Sequence, residues 1–170
     1  MVVNSLDRAS FWLARMSAAL VVTLAAGFIT ALLLQVIFRY LLNAPLSWSE
    51  ELSTFLFVWA TLLSASYGVR TQEHLRLTFV LDLLDGRARK TLEVFIHVLV
   101  GGFGVFLIYN GWRLADLVWD NTSAAIGYPA GFLYSSVPVS GGLIALHVLA
   151  HIARMLTTSA GADLGQDAVK

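Results

Sequence analysis

Apolar residues run along this chain in four long blocks, and charged residues are confined to the gaps between them. Residues 16–38 carry no charge and are closed by Arg39. A bilayer core needs about 20 apolar residues in helical form, so this block predicts a first span. A cleaved leader has an apolar region of only about 7–15 residues followed by polar sequence. Here the apolar run continues through Leu32, Leu33 and Leu34, which reads as a retained anchor. Residues 52–69 form a second uncharged block ended by Arg70, and residues 94–112 a third containing Gly101, Gly102 and Gly104. The fourth covers residues 130–153, closed by Arg154, with Pro138 as the expected kink point.

The gaps have patterns of their own. Between spans two and three, Leu77, Val80, Leu81 and Leu84 share one helical face, while Arg76, Arg87, Arg89 and Lys90 are basic. That spacing predicts a short amphipathic helix lying on the membrane surface among the lipid headgroups. Trp112, Trp119 and Tyr128 flank the connection before span four, as interfacial aromatics do. Residues 156–170 are expected to form a disordered tail. The fold class predicted is therefore all-α integral membrane, one domain over residues 1–170, with four transmembrane helices and one interfacial helix.

Composition agrees and narrows the function. The chain is 58% hydrophobic and 13% charged, with a mean hydropathy of +0.74, unsuited to a soluble domain of 170 residues. Eleven basic residues balance eleven acidic ones, so no net field recruits nucleic acid. The absence of cysteine excludes disulfides, thiolate metal sites and cysteine nucleophiles. Nine Lys/Arg fall in the N-terminal segment, the 70–90 connection and the tail; only Arg39 and Arg113 lie in the other two connections. The positive-inside bias predicts both termini in the cytoplasm and the 39–51 connection outside.

Candidate chemistry gathers at the start of span two. Ser47 and Glu50 have capping-box spacing, Pro45 suits the preceding turn, and Glu50 and Glu51 lie where a helix dipole favours negative charge. Arg39 and Trp48 complete an outer polar corner. It either serves the helix ends and the interface alone, or locks spans and meets a partner subunit. Ala60, Ser64 and Gly68 form a small-residue stripe suited to close helix approach. His97, His147 and His151 share the inner leaflet and could ligate a haem iron or a divalent metal, against the plainer reading of hydrogen-bonded polar groups near an interface. Asn121-Thr122-Ser123 reads as a chance glycosylation pattern, and Asp116 and Asp120 as a solvated helix end. No catalytic triad, phosphate loop or metalloprotease pattern occurs, so the chain reads as no enzyme, with no cofactor and no metal.

The stretch from Arg39 to His74 resembles the small membrane subunit of tripartite ATP-independent periplasmic (TRAP) transporters. The resemblance is carried by Arg39 closing span one, Trp48, Glu50 and Glu51 opening span two, and Arg70 and His74 after it. Tyr134 and Pro138 match an aromatic-x-x-x-Pro in the last span. Ser64 stands where that family usually has glycine, and Thr78 where an aspartate usually follows the histidine. The resemblance implies a non-catalytic scaffold in a sodium-coupled uptake system for organic acids, in a bacterial inner membrane. Its partners would be a large multi-span permease, a periplasmic substrate-binding protein and membrane lipids. Arg39, Trp48, Glu50, Glu51, Ala60, Ser64, Gly68, Arg70 and His74 would be interface and scaffold residues. The chain lacks the internal repeats and paired discontinuous helices that mark a midplane substrate site. The rival expectation is a four-helix membrane cytochrome b, with haem held by His97 and by His147 or His151.

Overall fold

The computed structural model describes residues 2–71 and 86–167. The chain forms α1 (Val2–Tyr40), α2 (Ser47–Thr71), α3 (Gly86–Leu117), a one-turn α4 (Gly131–Tyr134) and α5 (Ser136–Asp167). Four of these, α1, α2, α3 and the α4–α5 unit, hold stretches long and apolar enough to cross a membrane. The expected interfacial helix falls largely on residues outside those described. At 39 residues and 1.5 Å per residue, α1 is about 58 Å long, well beyond a bilayer core of about 30 Å. It extends through the mixed segment before residue 16, and α5 continues to Asp167 into the stretch expected as tail.

Lateral order differs from chain order. α2 lies between α1 and α5, and α3 packs on the far side of α5. The inward faces are small and polar: Ser10, Ala14, Ser17 and Ala31 on α1, and Ser49, Ser53 and Ser66 on α2, are buried. Large side chains such as Leu33, Phe103, Phe106 and Leu149 point outward. Lipid tails are as apolar as leucine, so burying bulk gains little here, and close backbone approach holds the helices together. Ser53 and Ser140 cost little inside because they bond within their own helices. Ser53 donates to the Ser49 carbonyl at 2.6 Å, and Ser140 to that of Val137 at 2.9 Å.

The tightest crossing joins α3 to α5. A Cβ on Gly141 would come within 2.7 Å of the Gly104 carbonyl oxygen, and one on Gly111 within 2.7 Å of the Pro138 ring. Glycine is needed where two backbones approach this closely. The kink expected at Pro138 occurs one turn upstream. Proline clashes with the carbonyl four residues before it, here Tyr134, and α4 ends at Tyr134. Pro138 then sits in the first turn of α5, where a missing N–H costs nothing.

Candidate functional site

The end of the assembly opposite both termini, here termed the outer end, is built from the α1–α2 turn and the 118–130 connection. α1 stops with Asn43 in the left-handed region (φ 52°) and the Ala44 N–H bonded to the Phe38 carbonyl at 3.0 Å. Asparagine tolerates that conformation better than most residues. The Ser47–Glu50 capping box is not formed. Ser47 already lies within α2, and it is the Ser49 hydroxyl that donates, to the Leu46 carbonyl at 2.7 Å.

The two adjacent glutamates diverge, because successive helical residues point about 100° apart. Glu50 is exposed beside Gln35, Ser53 and Phe57 in a groove between α1 and α2. Glu51 faces the 118–130 connection instead. Its carboxylate accepts from the Ser123 hydroxyl, from the Ala125 N–H at 2.9 Å and from the Ile126 N–H at 3.0 Å. The loop it grips is a narrow hairpin closed by Ser123 N–H to Tyr128 carbonyl (2.9 Å) and Ala130 N–H to Asn121 carbonyl (2.7 Å). Gly127 turns it at φ 80°. Tyr128 packs edge-on against Phe55 of α2, and burial, reinforced by the nearby Glu51 charge, pushes its phenol above the usual range. The Trp59 indole N–H donates to the Phe132 carbonyl at 3.2 Å, fastening α4 to α2. Arg39 and Trp48 are exposed, and Arg39 pairs with neither glutamate among the described residues.

The end that bears both termini, here termed the inner end, carries the ion pairs. Asp7 of α1 receives Arg70 of α2 at 2.9 Å and Arg154 of α5 at 2.8 Å, on the same carboxylate oxygen. One carboxylate thereby links three spans. The Arg70 side chain is 12% exposed, against 35% for Asp7 and 40% for Arg154. The Arg70 backbone is engaged too, because the His151 Nε2–H donates to its carbonyl at 3.3 Å.

All three histidines of interest are buried at this end. His97 Nδ1 donates to the Glu93 carbonyl at 2.7 Å, and His147 Nδ1 shares a hydrogen bond of 2.8 Å with the Ser10 hydroxyl. His97 and His151 come together, with ring centroids 5.6 Å apart. Each imidazole therefore spends one nitrogen on the helices around it, the role of a structural polar group. Among the described residues no group of three His, Asp or Glu side chains has an arrangement that could hold a metal ion. The haem reading finds no support in this geometry.

The small-residue stripe splits. Gly68 is buried and Ala60 half-buried, but Ser64 is exposed on the outside of α2. His74 lies outside the described residues. Asp7, Ser10 and Ser123 were not singled out from sequence. Asp7 had a visible signal: a single acidic residue next to the first span, with a surplus of arginines on the same side.

A family model described as tripartite ATP-independent periplasmic transporters, DctQ component, matches residues 28–158. The sialic acid TRAP transporter small permease protein SiaQ of Vibrio cholerae is 28% identical over 139 residues, 79% of this chain and 78% of its own length. The sialic acid TRAP transporter permease protein SiaT of Haemophilus influenzae is 31% identical over 117 residues, 69% of this chain but 19% of its own length. The isethionate TRAP transporter permease protein DctMQ of Oleidesulfovibrio alaskensis is 25% identical over 118 residues, again 19% of its length. This chain thus spans about a fifth of two of these relatives and most of the third.

Proposed function

This chain belongs to the DctQ component family of tripartite ATP-independent periplasmic transporters, and we propose that in such a transporter it scaffolds a large permease subunit. The observation that carries the proposal is the length of the relatives. In SiaT and DctMQ, a segment like this chain makes up a fifth of a longer permease polypeptide. What those proteins hold by a covalent link, a separate small permease subunit must hold by contact. The broad apolar outer faces of α1 and α3 offer the surface, and exposed Ser64 gives a point of close approach on α2.

In this reading the cargo is an organic acid moved inward with sodium, delivered by a periplasmic substrate-binding protein. The names of the relatives, sialic acid, isethionate and C4-dicarboxylate transporters, favour that class. The chain sits in a bacterial inner membrane with both termini cytoplasmic, the side where the basic residues concentrate. It performs no catalysis of its own.

Co-purification after mild detergent extraction tests the assignment. The wild-type chain is expected to retain a large multi-span permease. Ser64→Leu, whose added bulk favours insertion but separates helix axes, is expected to insert normally and lose most of that partner. A wild-type chain that purifies without a permease, or that shows a haem Soret band, would overturn the proposal.

A further inference from the structure

At the inner end, α1, α2 and α5 surround a groove of about 390 Å³ into which three arginines from three helices converge: Arg15, Arg70 and Arg154. Phe11 and Tyr67 form its aromatic wall. We propose that this groove binds the phosphate headgroup of an anionic phospholipid. The inference concerns the membrane-embedded chain itself and does not depend on what it transports.

Charge is the first argument. Three guanidiniums from three helices line the groove, and two of them, Arg70 and Arg154, also pair with Asp7. Guanidinium groups match phosphate oxygens in two-point geometry and give up their hydration more easily than ammonium does. Basic pockets between membrane helices are suited to acidic headgroups.

Depth is the second. Arg15 lies eight residues beyond Asp7 along α1, about 12 Å further toward the uncharged stretch that begins at Met16. A cation so placed needs an anion or a route back to the headgroups. A lipid phosphate in the groove supplies the anion.

The third argument separates a lipid from a free phosphate. Ala14, Ala18 and Phe11 make one side of the groove apolar, and Trp12 and Met16 lie exposed on the same stretch of α1 at 61% and 68%. An inorganic ion makes no use of such a surface, whereas acyl chains hanging from a bound headgroup do. The groove thus sets guanidinium groups directly beside apolar side chains, as a phospholipid joins an anionic headgroup to apolar chains.

The full chain in neutral detergent, titrated with phosphatidylglycerol, phosphatidylcholine or inorganic phosphate, provides the test. Phosphatidylglycerol alone is expected to raise the melting temperature and to be retained in native mass spectra. In Arg15→Gln/Arg154→Gln the retention is expected to fall roughly thirtyfold, from about 1 kcal/mol per cation beside an anionic lipid. Arg15→Lys/Arg154→Lys should recover most of it. If the double variant does not fold, Arg15→Gln alone, at an exposed side chain, is expected to lower retention about fivefold on the same scale. Equal retention of phosphatidylcholine, an equal shift with inorganic phosphate, or unchanged lipid retention in the variants would each overturn the proposal.

Discussion

Glu51 at the outer end and Asp7 at the inner end are each a single carboxylate joining distant parts of the chain, but they do so with different partners. Glu51 accepts from one hydroxyl and two backbone N–H groups of a hairpin, so it shapes a loop against α2. Asp7 bridges two guanidiniums on other helices, so it sets how three spans meet. The outer contact is local and neutral on the donor side; the inner one is ionic and spans the assembly. Neighbours in sequence can therefore have separate roles, as Glu50 and Glu51 do, while a unit can be assembled from residues far apart, as Asp7, Arg70 and Arg154 are.

The largest effect should come from breaking the inner end. Asp7→Asn leaves Arg70 nearly buried without its anion. Exposed pairs are worth about 0–1 kcal/mol, and removing one partner of a buried pair costs about 3–5 kcal/mol. With Asp7 and Arg154 partly exposed, the expected loss lies between, about 2 kcal/mol, read as a lower melting temperature in detergent free of anionic lipid. Arg154→Gln should cost less, because Arg70 keeps its partner. Wild-type melting of Asp7→Asn would remove the contrast between the two ends.

Breaking the outer end should give a smaller global change and a larger local one. Glu51→Gln keeps an acceptor oxygen but loses the negative charge, and one oxygen cannot serve three donors as a carboxylate does. The 121–130 hairpin is then expected to open more often, giving several-fold faster limited proteolysis there. Melting of the helices should change less than in Asp7→Asn. Equal cleavage rates in wild type and variant would show that the backbone bonds of the hairpin hold it unaided.

The spans were legible because a bilayer imposes length and apolarity directly on sequence, and blocks of that kind survive any packing arrangement. Arg70 was legible too, as the charge that ends span two, and Arg39 as the charge that ends span one. Partner choice was not. The sequence places Glu50 and Glu51 side by side, and only the 100° helical step shows that one faces the 118–130 hairpin and the other a groove. The Ser47 capping box failed for a related reason: the spacing was right, but the helix starts a residue earlier than the motif requires. The partners of Asp7 were not legible either, because they are set by lateral helix order, α1 beside α2 beside α5, which hydropathy does not encode.

The smallest effect on the isolated chain, and the sharpest test of the outer corner, belongs to Glu50. It is exposed, and it lines the α1–α2 groove with Gln35, whose Oε1 is buried without a donor. Glu50→Gln removes a charge that no described contact uses, so melting should be unchanged. Arg39→Gln should be equally mild, because Arg39 pairs with neither glutamate. In the assembled transporter the expectation reverses. If this corner meets the large permease, a charge idle in the isolated chain becomes buried against a partner, where its loss costs more than any exposed contact. Reduced complex yield and reduced uptake in reconstituted vesicles, with melting of the isolated chain intact, is the predicted result for both variants. Wild-type yield and uptake would leave Glu50 and Arg39 as solvated helix-end charges, and Glu51 as the one residue of the outer corner with a structural partner.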